Sequence, residues 1–134
     1  MAENVHLWEI VMDCAEPSTL ATFYSQLLGC GMGRRSDENW YWIEPPLRGG
    51  VGADSAGVRI AFQRVPEPKL GKVRLHLDLG SDDIPATVER AIELGATQIH
   101  DPVTDDSGTY VVLTDPEGHE LCIVTASTAT ESQS

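Results

Sequence analysis

Basic residues are scarce in this chain. Nine lysines and arginines stand against 21 aspartates and glutamates, a formal net charge of −12 at pH 7. Such a surface repels phosphate backbones and anionic bilayers, which excludes nucleic acid and membrane as partners. It would draw a cationic ligand if the charge lined a cleft, and otherwise it serves solubility. Cysteine is sparse too: Cys14, Cys30 and Cys122 are an odd number with no CxxC pair. That excludes a disulfide framework and a structural zinc knuckle. Cys14 and Cys30 read as reduced, buried thiols. No apolar run approaches the roughly 20 residues that a bilayer span requires. The opening "MAENVHLWEI" has no basic region followed by an apolar core, so a cytoplasmic protein is expected.

What is present fits one soluble domain of 134 residues, with 41% hydrophobic and 22% charged residues. In "PSTLATFYSQLLG", Leu20, Phe23, Tyr24, Leu27 and Leu28 form one apolar helical face, with Pro17 suited to the first turn and Gly29 to the stop. The stretch "DDIPATVERAIELGA" repeats the design: Ile84, Val88, Ala91 and Ile92 share a face, Asp83 is a candidate N-cap, and Gly95 ends the helix.

A strand-like stretch precedes each helix, "VHLWEIVMD" and then "VRLHLDLGSDD". His6 lies seven residues before Asp13, and His76 seven before Asp83, so both pairs shift by 70 residues (76 − 6 and 83 − 13). Further strand-like stretches follow each helix: "MGRRS", "NWYWIE" and "GVRIAFQRV", then "ATQIH", "TYVVLT" and "HELCIVT". The reading is an α+β chain of two tandem βαβββ modules. Module one spans 5–65, a connector 65–72, module two 73–125, and a disordered tail 126–134, all within a single domain of 1–134. A cupped mixed sheet with the helices on its outer face is expected.

Strand alternation then assigns faces. His6, Trp8 and Ile10 would share one, and Arg74, His76 and Asp78 another. Two-fold symmetry between the modules would set His6 and His76 facing each other across one cup. Trp40 and Trp42 share a face of "NWYWIE", as either a ligand-stacking wall or core packing against a helix. "PPLRGGVGADSAG", Pro45 to Gly57, reads as a flexible loop over a rim, or as a simple connector. In "DPEGHELC", a turn runs straight into a strand that carries Cys122, as core packing, a reactive thiol or a replacement for another residue.

The module pattern, with "FYSQLLG" closing the first helix, "HLDL" opening module two, "ELGA" closing its helix and "DPEGHELC" near the end, resembles the vicinal oxygen chelate superfamily. This group comprises glyoxalase I, fosfomycin- and bleomycin-resistance proteins and extradiol dioxygenases, and the likeness is to its small glyoxalase-like branch. It covers Val5 to about Thr125. The resemblance implies a bowl between the modules that holds a divalent cation in metal-binding members, on ligands from the first and last strands of each module. His6 and His76 match the first-strand ligands. Ala61 and Cys122 fall where carboxylates would be expected.

Two histidines and a thiol suit Mg²⁺ or Mn²⁺ poorly, so the expectation is no metal. The alternative is a divalent ion such as zinc on His6, His76 and Cys122, with Gln63 or water as a fourth ligand. Without a Lewis acid to stabilise an enediolate, glyoxalase chemistry is disfavoured. The leading expectation is a binding protein of the bleomycin-resistance type, a homodimer as the resemblance implies. It would take a small organic molecule, cationic or aromatic, on His6, Trp8, Trp42, Arg59, Gln63, His76, Glu120 and Cys122. The alternative is a lyase or isomerase with His76 and Glu120 as candidate catalytic residues. Neither Leu121 nor Ile123 offers the electropositive setting that would make Cys122 a nucleophile.

Overall fold

Pro17 begins the first helix, α1 (Pro17–Leu28), and Gly29 ends it in the left-handed conformation at φ 71°, its N–H donating to the Ser25 carbonyl. Only glycine adopts that conformation without a steric penalty. In the second helix, α2 (Ile84–Leu94), the carboxylate of Asp83 accepts from the backbone N–H of Ala86 at 3.1 Å, an N-cap as its sequence position predicts. The computed structural model describes residues 4–46 and 57–125. Most of the predicted rim loop (47–56) and the predicted tail (126–134) lie outside these residues.

The fold is α+β with two mixed sheets. The chain divides into two compact units between Lys69 and Leu70. In the first unit, β1 (Glu9–Cys14), β2 (Met32–Arg34), β3 (Trp40–Ile43) and β4 (Arg59–Arg64) are ordered β1-β4-β3-β2. β1 runs parallel to β4, with Ile10 opposite Ile60, and the other pairs are antiparallel. Alternation gives this sheet two different faces. Tyr41, Ile43, Ile60 and Phe62 are buried on the face that meets Leu20, Phe23 and Tyr24 of α1. Tyr24 stacks on Phe62 with centroids 5.8 Å apart. Trp40, Trp42, Arg59, Ala61 and Gln63 lie on the helix-distal face.

The second unit repeats the plan with one addition. β5 (Leu77–Ser81), β6 (Thr97–Gln98), β7 (Val103–Asp105), β8 (Gly108–Thr114) and β9 (Glu120–Thr125) form a sheet ordered β5-β9-β8-β6, with β7 also paired to β8. The short β7 was not predicted. It exists because Asp105 closes a tight hairpin, its carboxylate accepting from the Ser107 N–H (2.9 Å) and hydroxyl (2.7 Å). Buried Val111, Leu113, Leu121 and Ile123 face α2 with Val88 and Ala91, so Glu120 and Cys122 fall on the helix-distal side.

Two expected strands start later than the sequence suggested. β1 begins at Glu9 and β5 at Leu77, so His6, Trp8, Arg74 and His76 all precede their strands. The cause is the partner strand. Glu9 pairs with Arg59, the first residue of β4, and Leu77 pairs with Leu121, one residue into β9. Residues before Glu9 have no β4 residue to pair with, and β9 extends only one residue, Glu120, beyond the partner of Leu77. The expected grouping of Ile10 with His6 and Trp8 is corrected accordingly, since Ile10 sits beside Ile60 on the helix-covered face.

Candidate functional site

The helix-distal face of each sheet carries polar side chains, and in the first unit the tryptophans of β3 as well. In the first unit the indole of Trp42 lies against Gly33, its cross-strand partner. A Cβ at Gly33 would collide with Cζ2 of the ring. The Arg59 guanidinium sits 4.7 Å over the Trp42 ring centroid and 3.2 Å from a carboxylate oxygen of Glu44. Arg59 is therefore committed to a neighbour on each side and braces the indole, leaving its charge largely compensated. Trp40, two residues earlier on the same face, is covered by Arg35 at 4.1 Å. Gln63 donates from Nε2 to the Asp13 carboxylate at 3.3 Å. The pairing places Asp13 on this face, a residue not singled out as a site residue by the sequence reading.

His6 and Trp8 precede β1 as an exposed pair, with ring centroids 5.9 Å apart and Trp8 71% accessible. Neither is fixed by strand pairing.

In the second unit, β5 and β9 bring the chemistry together. Asp78 lies opposite Cys122 in the parallel pair, and Val112 flanks Cys122 from β8. His76, one residue before β5, places Nε2 3.1 Å from Oδ1 of Asp78. A carboxylate accepts, so Nε2 carries the proton and Nδ1 is left as the basic nitrogen. One ligand atom each of His76, Asp78 and Cys122 lie within 4.8 Å of one another. Glu120 is occupied nearer the turn, where its Oε1 accepts from the backbone N–H of Val73 at 3.1 Å. That contact ties the start of the unit to β9.

Burial raises the pKa of the Cys122 thiol, and the adjacent Asp78 carboxylate raises it further by charge and hydrogen bonding, against a smaller opposing effect of Lys72. The thiol is thus protonated at neutral pH and is no nucleophile. Cys14, by contrast, is buried at the end of β1, its Sγ 3.6 Å from the Gln63 carbonyl.

His119, in the turn before β9, is buried and bound to Asp115. Nδ1 donates to Oδ2 at 2.8 Å, while the backbone N–H groups of Glu117 (2.8 Å) and His119 (3.1 Å) donate to Oδ1. This carboxylate organises the "DPEGH" turn from inside and delivers Glu120 and Cys122 to the start of β9.

A family model for the glyoxalase-like domain matches residues 9–124. The chain belongs to the glyoxalase-like domain family. The structural relatives agree with that placement in the vicinal oxygen chelate superfamily. One is a glyoxalase/bleomycin resistance protein/dioxygenase family enzyme from Burkholderia phytofirmans PsJN, 18% identical, at a TM-score of 0.68 over 92% of this chain and all of the other. A hypothetical protein, SA1046, from S. aureus is 13% identical with a TM-score of 0.69, covering 90% of this chain and 94% of its own. The fosfomycin resistance protein FosX from Mesorhizobium loti is 16% identical with a TM-score of 0.66, over the full length of both. At such identities the likeness concerns the fold. Among curated proteins, none matches the sequence.

Within this glyoxalase-like chain, the residue that the sequence reading undervalued is Asp78. Alternation placed it on the His76 face without a role in the site, yet it is the element shared by His76 and Cys122. The signal was available: two residues separate it from His76, so both lie on one side of the strand direction. None of the helices among the described residues is long and apolar enough to cross a membrane.

Proposed function

We propose that this glyoxalase-like protein binds a small organic molecule without a resident metal, on the helix-distal sheet faces, and works as a homodimer in the cytoplasm. One observation carries this reading. In each unit the helix seals one apolar face of the sheet, while the opposite face holds a row of aromatic and polar side chains: Trp42, Arg59 and Gln63 in the first, His76, Glu120 and Cys122 in the second. A largely apolar surface with a few fixed polar groups is how proteins hold small organic ligands. Trp42 is held in place by Gly33 and Arg59 before any ligand arrives, which lowers the ordering cost of binding. His6 and Trp8 would add to the ligand's surroundings from the segment before β1.

The test is a fluorescence titration against a panel of aromatic amines and related organic cations. Saturable tryptophan quenching without turnover, weakened about tenfold or more in Trp42→Phe and in Gln63→Ala, is expected. Affinity unchanged in both variants would sink this reading.

A second reading rests on the His76, Asp78 and Cys122 cluster. Its donor set is one nitrogen, one oxygen and one sulfur, which fits a borderline ion such as zinc and does not fit magnesium or calcium. Such an ion would supply a Lewis acid to a bound carbonyl or hydroxyl oxygen. In that case Glu120, from its place nearer the turn, is positioned to hold or move a proton, and the protein is a lyase or isomerase. Without the ion, Asp78 orients the His76 imidazole through Nε2, and Nδ1 is the nitrogen left to accept a proton.

A further inference from the structure

On the opposite side of the second unit's sheet, α2 and the segment after β6 leave a groove of about 490 Å³. Its floor is Val111 of β8 and Val88 of α2, and its walls are Ile84, Ile92 and Pro102. The volume falls in the range of sites that hold small organic molecules. Ile92 is 46% accessible, although it lies on the same helical stripe as buried Val88. This stripe is wider than the sheet covers. The rim is acidic: Glu89 and Glu93, one helical turn apart on α2, line the same groove. Among the described residues neither carboxylate makes a hydrogen bond or ion pair. Among the described residues, no lysine or arginine lines the groove.

We propose that this groove is a second binding site, specific for a small organic cation that joins an apolar body to an ammonium group. The apolar body would displace water from Val88, Ile92 and Val111. The ammonium would sit at the rim between Glu89 and Glu93, where two like charges a turn apart repel each other until a cation lies between them. An anion of the same shape is excluded by those charges, and a neutral molecule gains only the apolar contact. The site shares no residue with the helix-distal face of the sheet, so each can be occupied and tested separately.

The experiment is a titration of the whole protein with benzyltrimethylammonium and, in parallel, with its uncharged carbon isostere neopentylbenzene, followed by methyl carbon–proton spectra. The expected result is saturable shifts at the methyl groups of Ile84, Val88, Ile92 and Val111 with the cation, and weaker binding of the isostere. The double variant Glu89→Gln/Glu93→Gln, on an exposed helix surface, should weaken the cation by about threefold to tenfold and leave the isostere unchanged. Salt should act in the same direction. Equal affinity for the isostere would overturn the proposal, as would an unaltered cation affinity in the double variant. Shifts confined to the methyl groups of Ala61 and Val112, or no methyl shift up to about 10 mM cation, would also overturn it.

Discussion

Nε2 of His76 lies 3.1 Å from Oδ1 of Asp78, and the same carboxylate raises the pKa of Cys122 on the neighbouring strand. One aspartate therefore acts on both groups, orienting the imidazole and adding to the rise that burial imposes on the thiol. The parallel pairing of β5 with β9 makes this so, because it sets Asp78 opposite Cys122. A shift of register by one residue would turn Asp78 toward α2 and separate all three groups.

A pH prediction follows from the thiol. Its folded-state pKa is raised, so the neutral form is favoured by the fold: the stability it contributes is complete below the ordinary thiol pKa and is lost as pH rises through the raised one. Alkylation of Cys122 by iodoacetamide, followed by peptide mass spectrometry, should be slow at neutral pH and climb only on the alkaline side of the ordinary thiol range. Asp78→Asn removes the second-largest cause of the rise, so the profile should move to lower pH, though not beyond what burial alone permits. An unmoved profile would show that Asp78 does not act on Cys122.

The features legible in the sequence are those set within a few residues of chain. The 3.6-residue period and Gly29 mark α1, and Asp83 announces the start of α2, because caps and helical faces depend on neighbours three and four residues away. The 70-residue repeat exposed the doubled module, and alternation along "HELCIVT" put Glu120 and Cys122 on one face of the second sheet. The start of β1 was not legible, since it is set by where β4 begins, some fifty residues later. Nor did the sequence say which face of "NWYWIE" meets the helix. That follows from Tyr41 lying opposite Phe62 and Trp42 opposite Ala61. The hairpin at β7 depends on the carboxylate of one aspartate reaching Ser107, a signal too short to separate from any polar loop.

Gly33 and Trp42 make a packing prediction. Any side chain at Gly33 must displace the indole that covers it. Gly33→Ala should destabilise the protein by about 1–3 kcal/mol in urea unfolding, as overpacking does. Trp42→Phe in the same chain frees the space and should recover part of the loss. If Gly33→Ala unfolds at the wild-type midpoint, the indole is not held against β2. Its role as a preset stacking surface would then fail with it.

Asp115 carries a larger share of stability. Its carboxylate, with a side chain fully shielded from solvent, receives the imidazole of His119 and two backbone N–H groups. Asp115→Ala leaves those donors buried without an acceptor and should cost about 2–3 kcal/mol. Asp115→Asn keeps one acceptor oxygen and should cost less, about 1 kcal/mol. The measurement is again the unfolding midpoint. Equal losses in both variants would show that shape, and not hydrogen-bond acceptance, holds the turn.

Metal loading separates the two functional readings. Cobalt(II) reports on thiolate ligation through a near-ultraviolet charge-transfer band, and zinc competes for the same donors. If His76, Asp78 and Cys122 act as a set, titration of metal-free protein with cobalt should produce that band at one equivalent per chain. Cys122→Ser should abolish it, and both His76→Ala and Asp78→Ala should weaken binding by about tenfold to a hundredfold. Proton release should accompany binding, because the thiol, protonated in the free protein, must surrender its proton to the solvent. A chelator would then return the protein to its starting spectrum. If cobalt gives no band and zinc raises the melting temperature of wild type and Cys122→Ser alike, the cluster does not ligate. The raised thiol pKa then points the other way: Cys122 is a small, neutral surface element of a face that binds organic molecules, with His76 and Asp78 supplying its hydrogen bonds.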